Sequence, residues 1–237
     1  MAPPSSLRVA VVPDPGEPLE ALAHVLTAAE REQARALPTE RRRRHFVIGR
    51  LAARKAIRPI LGGRGALPTL EISSPLGCAP RVIMDGPGGR VRVSISHSSR
   101  LAAACAWFAQ EEGPLLAGID VEHTRPNEVA ESSYAFSPRE RRLLSEAQEG
   151  PEIAGLAAWT AKEAVWKALL AGQDIGPEAI EIRVQNLAQG RTLVRVKGAL
   201  SDRIRDPQLW VRTRQIGGPD GKYVMSIAKI APVEMLL

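Results

Sequence analysis

Two charged residues lie on the apolar face of a predicted helix in the second half of the chain. At 100° per residue, four apolar side chains of the segment LAAWTAKEAVWKALL fall within an arc roughly 80° wide. They are Leu156, Trp159, Trp166 and Leu170. Glu163 falls inside that arc, and Lys167 follows it by four residues at the edge of the same face. An exposed surface pair is the commoner meaning of this spacing, but a carboxylate between two indoles loses hydration and needs a partner.

A second acidic pair lies on a predicted strand, LLAGIDVEHTRP. The period of two sends Ile119 and Val121 to one face, and Asp120 and Glu122 to the other, beyond Gly118. Two carboxylates at this separation repel each other unless a cation or a basic group lies between them. Oxygen ligands indicate Mg²⁺ rather than zinc. Two solvated acids on an exposed strand face are the alternative, and the commoner one for an isolated pair.

An arginine row is predicted on an element in the first half, ERRRRHFVIGRLAARKAIRPILGG, which begins after an N-cap at Thr39 and is stopped by Pro59 and the pair Gly62 and Gly63. Arg43, Arg50 and Arg54 lie within roughly 40° of one another, beside an apolar face. A phosphate-binding row is the preferred interpretation because guanidinium groups match phosphate oxygens. A solvated basic face and contact with nucleic acid stay open as alternatives.

The segment RVRVSISHSSRLAAACAWF predicts a hairpin whose first strand ends in a turn rich in Ser and His. His97, beside hydroxyl groups at that turn, is suited to donating to an anion, although a structural role is the commoner one for a lone histidine. A serine hydrolase is disfavoured because no acidic third member follows with the spacing of a nucleophile elbow.

Composition sets the broad class. The chain has 237 residues, of which 44% are hydrophobic and 24% charged, and this is typical of a globular protein. The formal charge of +6 favours an anionic partner. Cys78 and Cys105 lack the spacing of a disulfide framework or a zinc site, and the longest apolar run, 101–109, is too short to span a bilayer. With no signal peptide predicted at the N-terminus, these features predict a cytoplasmic protein in a reducing compartment.

The coarse element pattern is similar in the two halves. The first half is predicted to contain an opening strand at 7–12, a broken helix at 19–37, the arginine helix, short strands at 70–73 and near Val82, and the hairpin. The second contains the acidic strand, a helix opened by the capping box at Ser137–Glu140, the helix of Glu163, and four strands at 179–184, 192–196, 209–214 and 223–230. No strict sequence repeat is apparent.

In this order, the motifs resemble those of the Sfp-type 4′-phosphopantetheinyl transferases, and GRLAAR is closest to the branch of the enterobactin synthetase component D enzymes. The resemblance rests on GRLAAR (49–54), SISHS (94–98), GIDVE (118–122) and WTAKEAVWKA (159–168). It implies an α+β fold of two similar α/β subdomains, 1–118 and 119–237, related by pseudo-twofold symmetry. Each subdomain would be a small, mostly antiparallel sheet packed on a long helix, with coenzyme A bound between the two.

The resemblance also implies an activity: Mg²⁺-dependent transfer of the 4′-phosphopantetheine arm of coenzyme A to a serine of an apo acyl or peptidyl carrier protein, with release of adenosine 3′,5′-bisphosphate. The implied metal ligands are Asp120, Glu122 and Glu163. The implied catalytic residues are Glu163, Lys167 and Glu122, and either glutamate is a candidate base. The implied coenzyme A contacts are Arg43, Arg50, Arg54, Ser96, His97, Asp120 and Lys167.

The chain departs from the family pattern at two places, and both bear on nucleotide recognition. Glu30 and Gln33 stand where relatives carry basic residues, and the element before the SISHS turn reads Gly77–Pro80, so that a basic contact there would have to come from Arg81.

A monomer is expected to suffice, and no membrane or nucleic-acid partner is expected.

A basic nucleic-acid-binding protein that uses the 41–58 helix is the alternative from a different class. A nucleotide-directed phosphoryl transferase is disfavoured because there is no P-loop or kinase-type glycine-rich loop. The carrier protein and its pathway, whether fatty acid, polyketide, nonribosomal peptide or siderophore synthesis, stay open.

Overall fold

The computed structural model describes residues 7–62, 70–74, 79–83, 90–109, 115–125, 135–170, 176–204 and 206–230. Its strands are β1 (Arg8–Pro13), β2 (Glu71–Ser73), β3 (Arg81–Ile83), β4 (Val91–Ser98), β5 (Leu101–Phe108), β6 (Leu116–His123), β7 (Ile180–Asn186), β8 (Arg191–Val196), β9 (Gln208–Gly218) and β10 (Gly221–Ile230). Its α-helices are α1 (Leu19–Leu22), α2 (Ala28–Arg35), α3 (Glu40–Ile57), α4 (Pro138–Ser145) and α5 (Pro151–Leu170). Single turns of 3-10 helix lie at Ala23–Val25 and Pro177–Ala179, and a longer one at Gly198–Arg203.

Two antiparallel five-stranded sheets divide the described elements between them. The first has the order β1-β5-β4-β3-β2 and the second the order β6-β10-β9-β8-β7. The two orders are the same when five is added to the number of each strand in the first sheet. Helix α3 packs on the first sheet, and α5 on the second. The predicted α+β class, with two similar halves, is confirmed. The division at 118/119 stays a prediction, and it falls within β6, which begins at Leu116.

The two halves repeat one structural motif, in which a buried glutamate joins a short helix, a long helix and an edge strand; we call this motif the bracket. In the first, Thr27 and Glu30 form a capping box on α2, and the Glu30 side chain also accepts a hydrogen bond from the Ile72 amide of β2. Arg54 of α3 donates to the same carboxylate at 2.5 Å. Glu30 is fully buried, so the ion pair and these hydrogen bonds offset its desolvation.

The second bracket repeats this arrangement. Ser137 and Glu140 form a capping box on α4, Glu140 accepts from the Ile182 amide of β7, and Lys162 of α5 lies 2.8 Å from the carboxylate. In both halves the strand amide lies 42 residues beyond the glutamate. A buried carboxylate thus ties a short helix, a long helix and an edge strand together in each half.

Three apolar clusters pack the long helices against the sheets and the two sheets against each other. One lies between α3 and the first sheet, and a second between α5 and the second sheet. The third joins the inner faces of the two sheets, where β5 meets β6 and β10, and includes Cys105, Trp107, Val121 and Met225. Every residue from Leu101 to Trp107 is buried, because β5 is covered by α3 on one face and by the second sheet on the other. This packing fixes the junction of the halves, where the candidate site lies.

Candidate active site

The candidate site begins at Gly118 of β6, where the strand makes its closest approach to α5. A Cβ atom built on Gly118 would stand 2.0 Å from the Ala164 carbonyl oxygen and 2.7 Å from the Ala168 amide. Only glycine permits this approach. Because side chains two residues apart share a face of the strand, Asp120 and Glu122 follow Gly118 on the side that faces α5.

Helix α5 brings Glu163 and Lys167 to this acidic strand. The Lys167 ammonium donates to Asp120 Oδ1 at 2.6 Å, and the Asp120 side chain is buried. Glu163 is half-buried, as its position on the apolar face predicted, while Trp159 and Trp166 pack against the core of this half. The structure therefore brings four predicted site residues together: Asp120, Glu122, Glu163 and Lys167.

The strand β4 reaches the same site from the first half through three serines that alternate along it. The Ser94, Ser96 and Ser98 hydroxyls accept hydrogen bonds from successive alternate amides of β6, at 3.3, 3.3 and 3.1 Å. We call these three contacts the serine ladder. The donating amides are those of Ile119, Val121 and His123. They lie on the edge of β6 that has no strand partner in its own sheet, so the ladder satisfies backbone donors that would otherwise be unpaired.

Two rungs of the serine ladder also contact carboxylates. Ser96 Oγ donates to Asp120 Oδ1 at 2.7 Å, and Ser98 Oγ donates to Glu122 Oε2 at 2.7 Å. A hydroxyl has a single proton, so Ser96 has none left to give to a phosphate in this arrangement. Ser96 thus contacts Asp120 in the structure, and its contact with coenzyme A stays a prediction.

Negative charge is in excess at this site. Burial, reinforced by the Asp120 charge, raises the pKa of Glu122 to about 7. Burial is also the main cause of the raised pKa of Glu163, although the Lys167 ammonium opposes it. Burial alone would lower the pKa of Lys167, but the neighbouring carboxylates, with Asp120 foremost, raise it, so the ammonium stays charged at neutral pH. Three carboxylates and one ammonium leave room for a cation.

The donor set fits a hard cation such as Mg²⁺ but does not enclose one. Asp120 Oδ2 is buried without a hydrogen-bond partner, and this is the oxygen that Lys167 and Ser96 leave free. Within the described residues, no group of three or more His, Cys, Asp or Glu side chains is close enough to hold a metal ion by itself. Mg²⁺ commonly takes one or two carboxylates and completes its shell with water and substrate phosphates, which matches an open set of this kind.

A histidine pair lies beside the site. His97, at the end of β4, has an exposed side chain, and its ring centroid is 4.5 Å from that of His45 on α3. Although solvent reaches His97, the protein around the ring removes part of its hydration, and this, together with the charges of His45 and Lys167, lowers the pKa of His97. His45 also hydrogen bonds the Ser99 carbonyl oxygen at 2.9 Å. His97 was predicted from the sequence and His45 was not, because the place of His45 depends on how α3 meets the β4–β5 turn.

The arginine row does not converge on the site. Arg50 and Arg54 are 4% and 3% exposed, and both approach Glu30, with Arg54 also donating to the Leu70 carbonyl oxygen. Arg50 stacks over the Phe46 ring at 4.0 Å. These side chains therefore hold α2 and β2 against α3, where the sequence suggested a phosphate or a nucleic acid as their partner. The reason is the buried Glu30, which requires a cation.

The other predicted contacts lie apart. Arg43 is half-buried and lines a groove between α3 and the α1–α2 segment, with Leu19 and Arg31 among its neighbours. Gln33 is half-buried on α2, and Arg81 is exposed on β3. Positions 77 and 78 lie outside the described residues. None of the helices in the described ranges is both long and apolar enough to cross a membrane.

Comparison with known proteins finds a family match in the second half of the chain. Residues 117–228, just under half of the chain, match the family model described as the 4′-phosphopantetheinyl transferase superfamily. This stretch contains the acidic strand, helix α5 and all four clustered residues, but not the serine ladder. No curated protein sequence matches the chain significantly.

Two solved structures are each similar to somewhat less than half of the chain. Holo-[acyl-carrier-protein] synthase from Thermotoga maritima is 22% identical, with a TM-score of 0.39, over 48% of this chain and 68% of that one. A holo-(acyl-carrier-protein) synthase from Bacillus anthracis str. Ames, in complex with CoA (3′,5′-ADP), is 23% identical, with a TM-score of 0.36, over 44% of this chain and 95% of that one.

Proposed function

We propose that this protein is a 4′-phosphopantetheinyl transferase that uses coenzyme A and acts on an apo carrier protein. The observation that carries the proposal is the Asp120–Lys167 ion pair, flanked by Glu122 and Glu163, within the stretch that matches the superfamily model. The serine hydroxyl of the carrier would form a bond to the β-phosphorus of coenzyme A. The bond from that phosphorus to the bridging oxygen would break, and adenosine 3′,5′-bisphosphate would leave.

Lys167 supplies fixed positive charge in this mechanism. Its ammonium is protonated at neutral pH and is held by Asp120 at the junction of the halves. A cation placed there stabilises the charge that develops on the diphosphate during transfer. The half-buried position keeps this charge poorly screened by solvent, which strengthens its effect on a bound anion.

Glu122 and Glu163 are the candidate bases for the serine hydroxyl, and each has a raised pKa in the ligand-free protein. A carboxylate with a raised pKa is better matched to taking a proton at physiological pH than an ordinary one, and the pKa of Glu122 is about 7. With Asp120, these two residues would also hold Mg²⁺, for which Asp120 Oδ2 offers a free oxygen. When bound, Mg²⁺ supplies charge neutralisation and in-line orientation at the diphosphate oxygens.

Recognition of coenzyme A is proposed for the histidine side of the site. His97 is exposed, so its ring can present an N–H group to a phosphate, whereas the Nε2 atom of the neighbouring His45 is already engaged with the Ser99 carbonyl oxygen. Because a phosphate adds negative charge where Lys167 now disfavours protonation, its binding would raise the pKa of His97. Arg43, Arg50 and Arg54 stay proposed contacts; the last two approach Glu30, and each keeps guanidinium nitrogens without a hydrogen-bond partner.

Finer features of the function belong to the same proposal. The motif order supports membership of the Sfp-type branch, with GRLAAR closest to the enterobactin synthetase component D enzymes. We further propose a cytoplasmic monomer, with subdomains 1–118 and 119–237, that serves carrier proteins of secondary metabolism or fatty acid synthesis.

The test is the intact mass of a purified apo acyl or peptidyl carrier protein after incubation with this protein, coenzyme A and Mg²⁺. We expect the carrier to gain one phosphopantetheine mass, and EDTA to abolish the gain. Glu163→Gln should transfer at least about a hundredfold more slowly. Glu152→Gln, an exposed position on the same helix, is the matched control and should transfer at the parent rate. A folded Glu163→Gln variant that equals the parent would refute the assignment.

A further inference from the structure

We propose that Ser96 and Ser98 are positioning residues for the metal-binding carboxylates, so that the first half of the chain sets the geometry of the site in the second half. The inference rests on the proposed transferase function. It concerns two hydroxyl groups outside the stretch that matches the superfamily model, which begins at residue 117.

A hydroxyl can accept a hydrogen bond through its oxygen and has one proton to donate, so the donor and the acceptor in each contact are defined. Ser98 Oγ accepts the His123 amide hydrogen at 3.1 Å, and this leaves its own proton for Glu122 Oε2 at 2.7 Å. Ser96 repeats the arrangement between the Val121 amide and Asp120 Oδ1. Each serine therefore joins a backbone donor of β6 to the carboxylate of the preceding residue. Because the backbone fixes the hydroxyl, the hydroxyl fixes the carboxylate.

Each serine donates to one oxygen of a carboxylate and leaves the other oxygen for a cation. At Asp120, Oδ1 is occupied by Ser96 and Lys167, while Oδ2 is buried and has no partner. A hydrogen bond on one oxygen restricts rotation of the carboxylate and therefore directs the other. Partners that orient ligands in this way typically change metal affinity by 10- to 100-fold when removed.

The serine ladder contains its own control. Ser94 accepts the Ile119 amide at 3.3 Å, as Ser96 accepts that of Val121, and both serines are buried to a similar extent. The residue before Ile119, however, is Gly118, which carries no carboxylate. Ser94→Ala and Ser96→Ala thus remove the same kind of contact between β4 and β6, and only the second also releases a carboxylate.

The experiment measures Mn²⁺ affinity by electron paramagnetic resonance, with full-length protein and coenzyme A but no carrier. We expect Ser96→Ala and Ser98→Ala to weaken Mn²⁺ binding about tenfold or more, and Ser94→Ala to change it less than about twofold. Ser98→Thr, which keeps the hydroxyl, should restore most of the affinity. If an alanine variant does not fold, the cysteine variant at the same position, nearly isosteric and a weak donor, should show the same loss.

The outcomes separate this inference from the function on which it rests. A parent that transfers phosphopantetheine, with Ser96→Ala and Ser98→Ala binding Mn²⁺ as tightly as Ser94→Ala, overturns the positioning role alone. Equal losses in all three variants also overturn it, since the effect would then come from the joint between the halves. A parent that neither transfers nor binds Mn²⁺ in the presence of coenzyme A overturns both.

Discussion

Gly118→Ala is the substitution that tests most directly how the site is assembled. The added Cβ would stand 2.0 Å from the Ala164 carbonyl oxygen, whereas Cβ atoms essentially never come within 3.0 Å of another heavy atom. The obstacle is backbone on both sides, so it cannot be relieved by turning a side chain. Helix α5 must therefore withdraw from β6 by roughly 1 Å or more.

The size of the effect follows from this displacement. Overpacking of this kind costs about 1–3 kcal/mol of unfolding free energy, and each kcal/mol lowers the melting temperature of a chain of this length by about 2–4 °C. The Lys167–Asp120 contact, now 2.6 Å, would lengthen beyond hydrogen-bonding range. A misplacement of about 1 Å at a reacting centre costs on the order of a hundredfold in rate.

The assay compares Gly118→Ala with Gly217→Ala, whose added Cβ meets nothing within 4 Å. We expect the Gly118 variant to stay folded by circular dichroism, melt several degrees lower and lose about a hundredfold in phosphopantetheine transfer, while the Gly217 variant matches the parent in all three. A Gly118→Ala protein with the melting temperature and rate of the parent would show that the close approach of α5 does not set the site.

Two further predictions concern buried charges. Lys162→Met should lower the unfolding free energy by about 3–5 kcal/mol in urea titrations. Lys162 is 1% exposed, and its loss leaves the Glu140 carboxylate buried without its cation. A loss below about 1 kcal/mol would contradict the stabilising role of the ion pair in the bracket. The second prediction concerns Glu122, whose pKa is raised in the folded protein to about 7. Because the folded protein binds this proton more tightly than the unfolded chain, Glu122 contributes stability below its unfolded pKa. That stability is lost as the pH rises through 7. The melting temperature of the metal-free parent should therefore fall between pH 5 and pH 8, and fall less in Glu122→Gln, whereas equal decreases in both proteins would argue against the raised pKa.

Local patterns were sufficient to predict the acidic half of the site. Glu163 and Lys167 share a helix face at a spacing of four, and Asp120 and Glu122 share a strand face at a spacing of two. These regularities depend only on backbone geometry, so they survive folding unchanged. The helix and strand that carry them were predicted for the same reason, although their ends shifted by a few residues.

The contact of the arginine row with Glu30 was not predicted because Glu30 is distant in sequence. Arg50 and Arg54 do share a face of α3, as predicted, but that face meets Glu30 of α2 rather than an open cleft. A usable signal was present: TAAER at 27–31 and SPRER at 137–141 are both capping boxes followed by arginine. Comparing the two would have indicated an internal repeat, and with it a structural role for a cation on each long helix.

The role of the serine ladder was beyond single-sequence reasoning. The alternation of Ser94, Ser96 and Ser98 along a strand was visible, and it indicated a polar face at a turn. Which backbone that face would meet depends on how two separate sheets pack, and this is decided by the apolar cluster between them. His45 was missed for the same reason, since it reaches His97 only once α3 lies against the first sheet.

The serine ladder has a consequence for the order of folding. Each half contains its own bracket and its own cluster between helix and sheet, so each can gain most of its secondary structure from contacts within itself. The contacts between β4 and β6 are made through side-chain hydroxyls rather than a continuous backbone ladder, and they form only when the halves dock. Docking is a separate and slower class of event than the folding of a single unit. Any state in which both sheets are formed but the halves are not docked would lack these contacts, and its carboxylates would not yet be oriented for activity.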